Sequence, residues 1–288
     1  MYVGRFAPSP TGPLHFGSLL AALASWLDAR AARGRWLVRM EDLDAPREQP
    51  GAADLILRTL EKFGLTWDGP VAYQSLRSRN YEAALERLRV HTYWCGCTRR
   101  EVADSSLGLA ADGAQIYPGT CRNGLAAGRS ARALRLKTGR KAISFTDRVQ
   151  GPQAQVLEKQ VGDFVVYRAD GQFAYQLAVV VDDEEQDITD VVRGADLLDS
   201  TARQIHLQRL LGYATPRYLH VPVAVNAAGE KLSKQTGARP VDAAHPEHSI
   251  RKALRFLGQA PTDDLEEAIA AWDTSRIPRR RAIALADE

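Results

Sequence analysis

The chain has 288 residues, 45% apolar and 25% charged, a composition that is typical of a globular protein and excludes a disordered one. Its 38 basic and 35 acidic residues give a net charge of +3, which neither requires nor excludes a polyanionic partner. The longest apolar runs, residues 19–27 and 177–181, are far shorter than the roughly 20 residues of a membrane-spanning helix, and the N-terminus has no signal-peptide pattern. We therefore expect a cytoplasmic protein with no membrane partner.

The N-terminal part of the chain predicts alternating strands and helices. Residues 2–7 form a short segment bounded by proline and glycine, which indicates a strand, and residues 18–33 carry leucines at helical spacing. Residues 36–40 predict a buried strand, and residues 52–63 and 81–90 predict further helices. The β-α-β-α order implies a parallel sheet with helices packed on it, and hence an α/β fold.

The middle of the chain has the pattern of an insertion. Residues 105–132 are rich in Gly, Ala and Ser and show no sustained periodicity. Between residues 86 and 148, twelve basic side chains face five acidic ones. This stretch is either a solvated loop surface or a surface that contacts a phosphate backbone, because clustered Arg and Lys gain affinity by releasing condensed counterions.

Regular alternation returns after residue 163. The predicted elements, in chain order, are a strand at 164–168, a helix at 175–181, a strand at 188–192, a helix at 200–211 and a strand at 218–225. A turn follows at 226–229, and two short helices are predicted near 250–257 and 263–272. These elements supply the second half of the sheet.

The chain has three cysteines, and an odd number cannot form a fully paired disulfide framework. Cys95 and Cys97 are separated by one glycine, and Cys121 follows later. Metal ligation or simple burial explains them better than disulfide pairing.

Two distant stretches suit the phosphates of a nucleotide. His15 and Gly17 lie where a strand and a rigid turn lead into a helix, and a helix start favours anions. Gly17 lacks a Cβ, so a flat base can stack there, and His15 can donate to a phosphate oxygen. In the second stretch, Lys231 and Lys234 flank a serine after a strand and a turn. Taken separately, the two stretches are better explained by an ordinary turn histidine and by a solvated basic loop. Together they predict one site at the carboxyl edge of the sheet.

These stretches resemble two signatures of the class I aminoacyl-tRNA synthetases. His15-Phe16-Gly17-Ser18 is similar to the HIGH signature, and Lys231-Leu232-Ser233-Lys234 is similar to KMSKS. Five further segments resemble the glutamyl branch in the expected order, namely residues 5–12, 39–44, 67–68, 74–77 and 193–198. The resemblance covers roughly residues 1–100 and 160–238. It is strongest to the family of short glutamyl-queuosine tRNA(Asp) synthetases. Residues 272–278 of this chain also resemble the C-terminal end of those proteins.

The resemblance implies a domain organisation. We expect a Rossmann-like parallel sheet whose two catalytic halves are residues 1–90 and 161–238. Residues 91–160 would form an inserted zinc-binding subdomain of the acceptor type, and residues 239–288 a short helical segment. Because so little of the chain follows Lys234, no helical anticodon-binding domain is expected.

The resemblance also implies an activity and its residues. The enzyme would activate L-glutamate with ATP and Mg²⁺, without tRNA, and transfer it to the queuosine base of tRNA(Asp); a monomer is expected. His15 and Lys234 would be catalytic. ATP would also contact three residues of the two signatures, Gly17, Lys231 and Ser233. Glutamate would be bound by Arg5, Ala7, Ser9, Glu41, Tyr175 and Arg193.

The chemistry of these side chains agrees with an acidic amino acid as substrate. Arg5 and Arg193 are cations, and a planar guanidinium fork binds a carboxylate through two parallel hydrogen bonds. Glu41 can hold the ammonium, and Tyr175 can add a hydroxyl. For Arg193 or Glu41 alone, a structural salt bridge is the alternative interpretation.

The cysteines have a counterpart in the family as well. By resemblance, one structural Zn²⁺ would be held by Cys95, Cys97, Tyr117 and Cys121. The segment between Cys97 and Tyr117 is longer than the resemblance predicts, so His91 is an alternative fourth ligand. Three thiols without metal are the competing interpretation.

Three other functions compete with the glutamyl-queuosine interpretation. A truncated glutamyl-tRNA synthetase would charge the 3′ end of a tRNA, although the expected lack of an anticodon-binding domain argues against it. A non-catalytic module would bind glutamate, ATP or tRNA, although it would not need to retain His15, Lys234, Arg5 and Glu41. A small nucleotidyltransferase would not need the two arginines.

Overall fold

The structure is a computed structural model that describes residues 1–226, 228–232 and 239–285. Its N-terminal half forms a sheet in which β1 pairs with β2, and β2 with β3, all in parallel. The elements are β1 (Val3–Phe6), α1 (Phe16–Ala31), β2 (Arg35–Met40), α2 (Ala52–Lys62), β3 (Ala72–Tyr73) and α3 (Ser78–Arg87). The predicted β-α-β-α start and the α/β class are confirmed.

Helix α1 is the central element of this half. It begins two residues earlier than predicted because the His15 ring caps it, with Nδ1 accepting the Ser18 amide at 3.4 Å. It ends at Ala31 because Arg33 adopts a left-handed φ of 51°. Gly34 follows, where a Cβ would lie only 2.5 Å from the Tyr2 carbonyl oxygen, so the chain can turn tightly into β2.

The second half continues the sheet with the order β7-β6-β10-β9, in which β9, β10 and β6 are parallel and β7 is antiparallel to β6. The Thr189 amide donates to the Val3 carbonyl at 3.0 Å, which joins this sheet to β1. The elements are β6 (Ile143–Asp147), β7 (Gly151–Gln155), α6 (Tyr175–Glu185), β9 (Asp190–Gly194), α7 (Thr201–Leu211) and β10 (Arg217–Val221).

The strand predicted at residues 218–225 is divided in two. Pro222 separates β10 from β11 (Val223–Val225), because proline has no amide hydrogen with which to continue a ladder. Strand β11 pairs in parallel with β12 (Ala282–Ala284) instead. The chain therefore leaves the main sheet just before residue 223.

A separate antiparallel sheet has the order β4-β5-β8, so the strand predicted at 164–168 belongs to this sheet and not to the second half of the main sheet. Its strands are β4 (Thr92–Cys95), β5 (Ala133–Leu136) and β8 (Phe164–Tyr167), accompanied by α4 (Arg99–Asp104) and α5 (Leu157–Gln160). Residues 105–132, predicted to be irregular, are held by turns and isolated bridges. The sequence analysis did not predict β3, β4, β5, β6, β7 or β12, which are strands of two to five residues.

Two short C-terminal helices were predicted and are present, α8 (Pro246–Phe256) and α9 (Leu265–Ala270). They bury Leu254 and Ala268 in the same core as Leu23 of α1 and Trp36 of β2. A second core surrounds α6 and α7. Among the described residues, no helix is long and apolar enough to span a membrane.

Asp28 joins three parts of the chain at the back of α1. Its buried carboxylate accepts hydrogen bonds from Tyr2 Oη at 2.6 Å, from both terminal nitrogens of Arg148, and from Trp272 Nε1 at 3.1 Å. Four donors on one carboxylate fix β1, the end of the insertion and the C-terminal segment against one helix.

We expect Asp28→Asn to lower the free energy of unfolding by about 3 kcal/mol, because it removes the carboxylate that both terminal nitrogens of Arg148 bind, leaves only Asp190 at 3.7 Å, and turns one acceptor into a donor. Urea denaturation followed by circular dichroism measures the change. Glu61→Gln, at an exposed position of α2, is the matched control and should unfold like the original protein. Equal stability of the two variants would contradict the role assigned to Asp28.

Candidate active site

A cavity of about 480 Å³ opens at the carboxyl ends of β1, β2 and β9. Parallel strands end at one edge, so side chains that are distant in the sequence meet there. Nine of the residues singled out in the sequence line this cavity, namely Arg5, Ala7, Ser9, His15, Gly17, Glu41, Tyr175, Arg193 and Lys231. Ser233 and Lys234 lie outside the described residues.

The two signature stretches meet at the start of α1. A Cβ on Gly17 would lie 3.3 Å from the Leu232 carbonyl oxygen, so glycine permits this close approach. His15 forms an isolated bridge with Pro240, and the Val241 amide donates to the Leu14 carbonyl at 2.9 Å. The segments on both sides of residues 233–238 are therefore attached to the helix start.

Arg5 is buried at the end of β1, and its fork is already occupied. Its Nε and Nη2 donate to the two carboxylate oxygens of Asp183 at 3.0 and 3.2 Å. Burial would raise the pKa of Asp183, but the charges of Arg5 and Arg39 lower it. Asp183 therefore occupies the Nε and Nη2 edge of the guanidinium, and the edge formed by Nη1 and the second Nη2 hydrogen has no hydrogen bond to a described residue.

Arg193, in β9, is held by neutral groups. Its Nε donates to His220 Nε2 at 3.0 Å, and its Nη2 donates to Thr201 Oγ1 at 2.9 Å and to the Leu197 carbonyl at 3.3 Å. Its Nη1 lies 3.5 Å from the Tyr175 hydroxyl. Among the described residues no carboxylate forms an ion pair with Arg193, so its positive charge is left for a ligand.

His220 is itself held by Asp147. Its Nδ1 lies 2.6 Å from Asp147 Oδ2, and both side chains are fully buried. Burial lowers the pKa of His220 to about 4, against the opposing effect of Asp147. Since the ring is neutral and Nε2 accepts from Arg193, Nδ1 carries the proton and donates it to Asp147.

Glu41 follows β2 directly and faces the same cavity. Its Oε1 is buried and makes no hydrogen bond to any described residue, although Arg39 Nη2 lies 3.5 Å away. Burial raises the pKa of Glu41 to about 7, despite the charges of Arg39 and Arg5. A buried acceptor without a donor, beside a cavity, indicates a site for a cationic group of a ligand.

Lys231 lies at the cavity rim, where Nζ contacts Asp196 Oδ2 at 2.6 Å. Asp196 also lines the cavity, in the turn that follows β9. Two other acidic residues that could be mistaken for a metal pair are engaged by protein: Asp42 accepts from Ser75, and Asp44 pairs with Arg47. They therefore have structural partners in this protein.

The three cysteines form a cluster that fits a metal ion. Their sulfur atoms lie within 4.8 Å of one another, and Cys97 Sγ is 3.6 Å from Cys121 Sγ. The Tyr117 hydroxyl lies 3.4 Å from Cys95 Sγ and 3.5 Å from Cys97 Sγ. Burial would raise the pKa of Cys95, but hydrogen bonds with Tyr117 and Arg135 lower it to about 7. Among the described residues the cluster does not include His91.

Much of the basic insertion is engaged within the protein. Arg122 pairs with Asp163 at 2.6 Å, and Arg148 pairs with Asp28. Other exposed ion pairs join Arg129, Arg140 and Arg100 to nearby acids. These contacts favour the interpretation of a partly neutralised surface over an unbroken phosphate-binding face.

The sequence analysis missed the residues that hold the two arginines, Asp183, His220 and Asp147. One signal was present, since Asp182 and Asp183 end an apolar run that is buried in α6. Buried carboxylates require cationic or donor partners, so a pair inside an apolar helix predicts such partners. For Asp147 and His220, nothing local distinguishes them from ordinary strand residues.

Comparison with known proteins identifies the family. The family described as tRNA synthetases class I (E and Q), catalytic domain, matches residues 2–268. A protein of Aromatoleum aromaticum named Glutamyl-Q tRNA(Asp) synthetase is 58% identical, covering 97% of this chain and 91% of the relative. A protein of the same name from Burkholderia cenocepacia is 61% identical, covering 91% of this chain and 90% of the relative.

Two solved structures have the same fold. The glutamate-tRNA synthetase of Elizabethkingia anophelis superposes with a TM-score of 0.83 at 26% identity, covering 99% of this chain and 68% of that one. A glutamate tRNA ligase of Elizabethkingia meningosepticum, in complex with its amino acid, superposes with a TM-score of 0.80 at 27% identity, covering 97% of this chain and 66% of that one. This chain therefore belongs to the class I tRNA synthetases of the E and Q family and contains their catalytic domain.

Proposed function

We propose that this protein activates L-glutamate with ATP, without tRNA, and transfers the glutamyl group to the queuosine base in the anticodon of tRNA(Asp). The names of the relatives support the two substrates. One structural observation carries the proposal: within the described part of the chain, the cavity combines the charge of Arg193, which no carboxylate pairs with, and Arg5 Nη1 with the buried Glu41 Oε1, which accepts no hydrogen bond. These groups match the opposite charges of an acidic amino acid.

In the first step, the glutamate α-carboxylate attacks the α-phosphorus of ATP and pyrophosphate leaves. Arg5 and Arg193 hold the side-chain carboxylate, Glu41 holds the ammonium, and Tyr175 adds its hydroxyl. Because no enzyme nucleophile is needed, the rate comes from orientation and from stabilisation of charge on the phosphates. Ala7 and Ser9 complete the amino-acid site.

The ATP phosphates would lie between the two signature stretches. His15 and Gly17 at the start of α1, with Lys231 across the cavity, support this placement. We assign Ser233 and Lys234 to the same phosphates from the sequence signature. Mg²⁺ would enter with ATP.

In the second step, a hydroxyl of the cyclopentenediol ring of queuosine attacks the carbonyl carbon of glutamyl-adenylate. An ester bond forms, the hydroxyl proton is lost, and AMP leaves. The cavity is open to the surface at Ser9, which is exposed, so the acceptor can approach from solvent.

The test offers labelled glutamate, ATP and Mg²⁺ with tRNA(Asp) that contains or lacks queuosine. We expect glutamate-dependent exchange of pyrophosphate into ATP without tRNA, and label only on the queuosine-containing tRNA. Equal labelling of both tRNAs, or exchange only when tRNA is present, would favour charging of the 3′ end instead.

Glu41 makes glutamate binding depend on pH. Because its pKa is about 7, its carboxyl becomes neutral as the pH falls through that value and no longer attracts the ammonium. We expect the KM for glutamate to rise on acidification below about pH 7 and to level off at higher pH, while the KM for ATP stays constant. Glu41→Gln should raise the glutamate KM about tenfold and abolish this pH dependence. An unchanged profile in the variant would assign the titration to another group.

We also propose that one structural Zn²⁺ is held by Cys95, Cys97, Cys121 and Tyr117. The cluster of three sulfurs and one phenol oxygen supports this ligand set, since zinc in structural sites prefers four ligands with thiolates among them. The ion would join β4 to the irregular segment that contains Tyr117.

Elemental analysis tests the zinc proposal. We expect about one zinc per chain in the original protein and near none in Cys97→Ser, with a lower midpoint of thermal unfolding. His91→Gln is the matched control and should keep its zinc, because His91 lies outside the cluster. Loss of zinc in the His91 variant would show that this histidine is the fourth ligand.

A further inference from the structure

We propose that Asp147 and His220 are positioning residues for amino-acid binding, because they fix the orientation of the Arg193 guanidinium towards the cavity. Neither residue lines the cavity, so neither touches a ligand there. The inference rests on the proposed function and deepens it, since it names the residues that prepare one of the two carboxylate-binding cations.

The strand register brings the three residues together. Arg193 and His220 are partners in the parallel pairing of β9 with β10, and Asp147 ends β6, which pairs with β10 on its other side. Neighbouring strands therefore supply a cation, a neutral ring and an anion in order. The distances are 3.0 Å between Arg193 Nε and His220 Nε2, and 2.6 Å between His220 Nδ1 and Asp147 Oδ2.

Only one tautomer of His220 fits this chain of hydrogen bonds. The guanidinium can only donate, so Nε2 must be without a proton, and Nδ1 must carry it. Asp147 enforces this arrangement because an ionised carboxylate only accepts. The low pKa of His220 agrees, since a doubly protonated ring could not accept from Arg193.

The other oxygen of Asp147 is fixed by the backbone. Its Oδ1 accepts the amides of Val149 at 3.0 Å, Gln150 at 2.8 Å and His220 at 3.2 Å. Three donors make it costly to place an amide nitrogen there. In Asp147→Asn, the oxygen therefore stays with these amides, and the side-chain NH₂ faces His220 Nδ1.

That substitution reverses the tautomer of His220. With an NH₂ donor opposite, Nδ1 must accept, and the proton moves to Nε2. Nε2–H then faces the Nε–H of Arg193 and can donate only to Thr201 Oγ1, 3.4 Å away, so the guanidinium loses the bond that sets its direction. Asparagine has nearly the same shape as aspartate, so Asp147→Asn should remove the orientation of the Arg193 guanidinium without changing the packing of the side chains.

The experiment measures glutamate-dependent ATP–pyrophosphate exchange in four variants. For Asp147→Asn and for His220→Leu, we expect the glutamate KM to rise between about 10-fold and about 100-fold, with kcat and the ATP KM within about threefold of the original. His220→Gln places an amide oxygen where Nε2 was and should recover most of the affinity. His206→Gln removes a partly buried histidine, whose Nε2 contacts the Lys137 carbonyl outside the cavity, and should leave the glutamate KM unchanged.

Nitrogen-15 NMR of histidine-labelled protein reports the tautomer without any substrate. We expect the His220 signal, identified by its absence in His220→Gln, to show a proton on Nδ1 in the original protein and on Nε2 in Asp147→Asn. A role in stability alone would not move this proton. The same tautomer in both proteins would overturn the mechanism.

The outcomes separate this inference from the proposed function. Normal exchange by the original protein, together with an unchanged glutamate KM in folded Asp147→Asn and His220→Leu, would overturn the positioning role alone. If His220→Leu does not fold, an unchanged glutamate KM in Asp147→Asn is enough to overturn it. If the original protein shows no glutamate-dependent ATP–pyrophosphate exchange and does not bind glutamate in calorimetry, the proposed function fails. The role of Asp147 and His220 in amino-acid binding then fails with it.

Discussion

The burial of two guanidinium groups beneath one cavity is the constraint on which the rest of the structure depends. A buried cation is stable only with an anion or a full set of acceptors, and the two arginines meet this need differently. Helix α6 supplies Asp183 to Arg5, and strand β10 supplies His220 to Arg193. The length of that helix and the register of that strand are therefore tied to the cavity.

The same constraint requires the chain to return on itself. Arg5 and His15 come from the first residues, whereas Lys231 and Val241 come from the last quarter of the chain. The bridge between His15 and Pro240 and the contact of Leu232 with Gly17 hold these parts together. Helices α8 and α9 add apolar contacts to α1, so the C-terminal segment stabilises the element that carries the phosphate-binding stretch.

The sequence predicted the α/β class and the order of most helices, because each of these patterns is local, and the resemblance to a known family supplied nine of the residues that line the cavity. Asp147 and His220 were not predicted, since their meeting depends on the pairing of β6, β9 and β10, which lie far apart in sequence. Several short strands, β3 to β7 and β12, were not predicted either, because strands of two to five residues carry little pattern of their own and are stabilised by their neighbours. The break at Pro222, in contrast, was readable from a single residue.

The different partners of the two arginines have an electrostatic consequence. The charge of Arg5 is balanced by Asp183 before any ligand arrives, whereas no described carboxylate pairs with Arg193, whose neutral partner His220 leaves the guanidinium charge uncompensated. An anionic side chain entering the cavity gains attraction from this uncompensated charge, and a neutral amide of the same shape does not. In the proposed function, a preference for glutamate over glutamine would arise chiefly at Arg193, while Arg5 would contribute a donor of fixed direction. Charge selection and shape selection are thus assigned to two different arginines of one cavity.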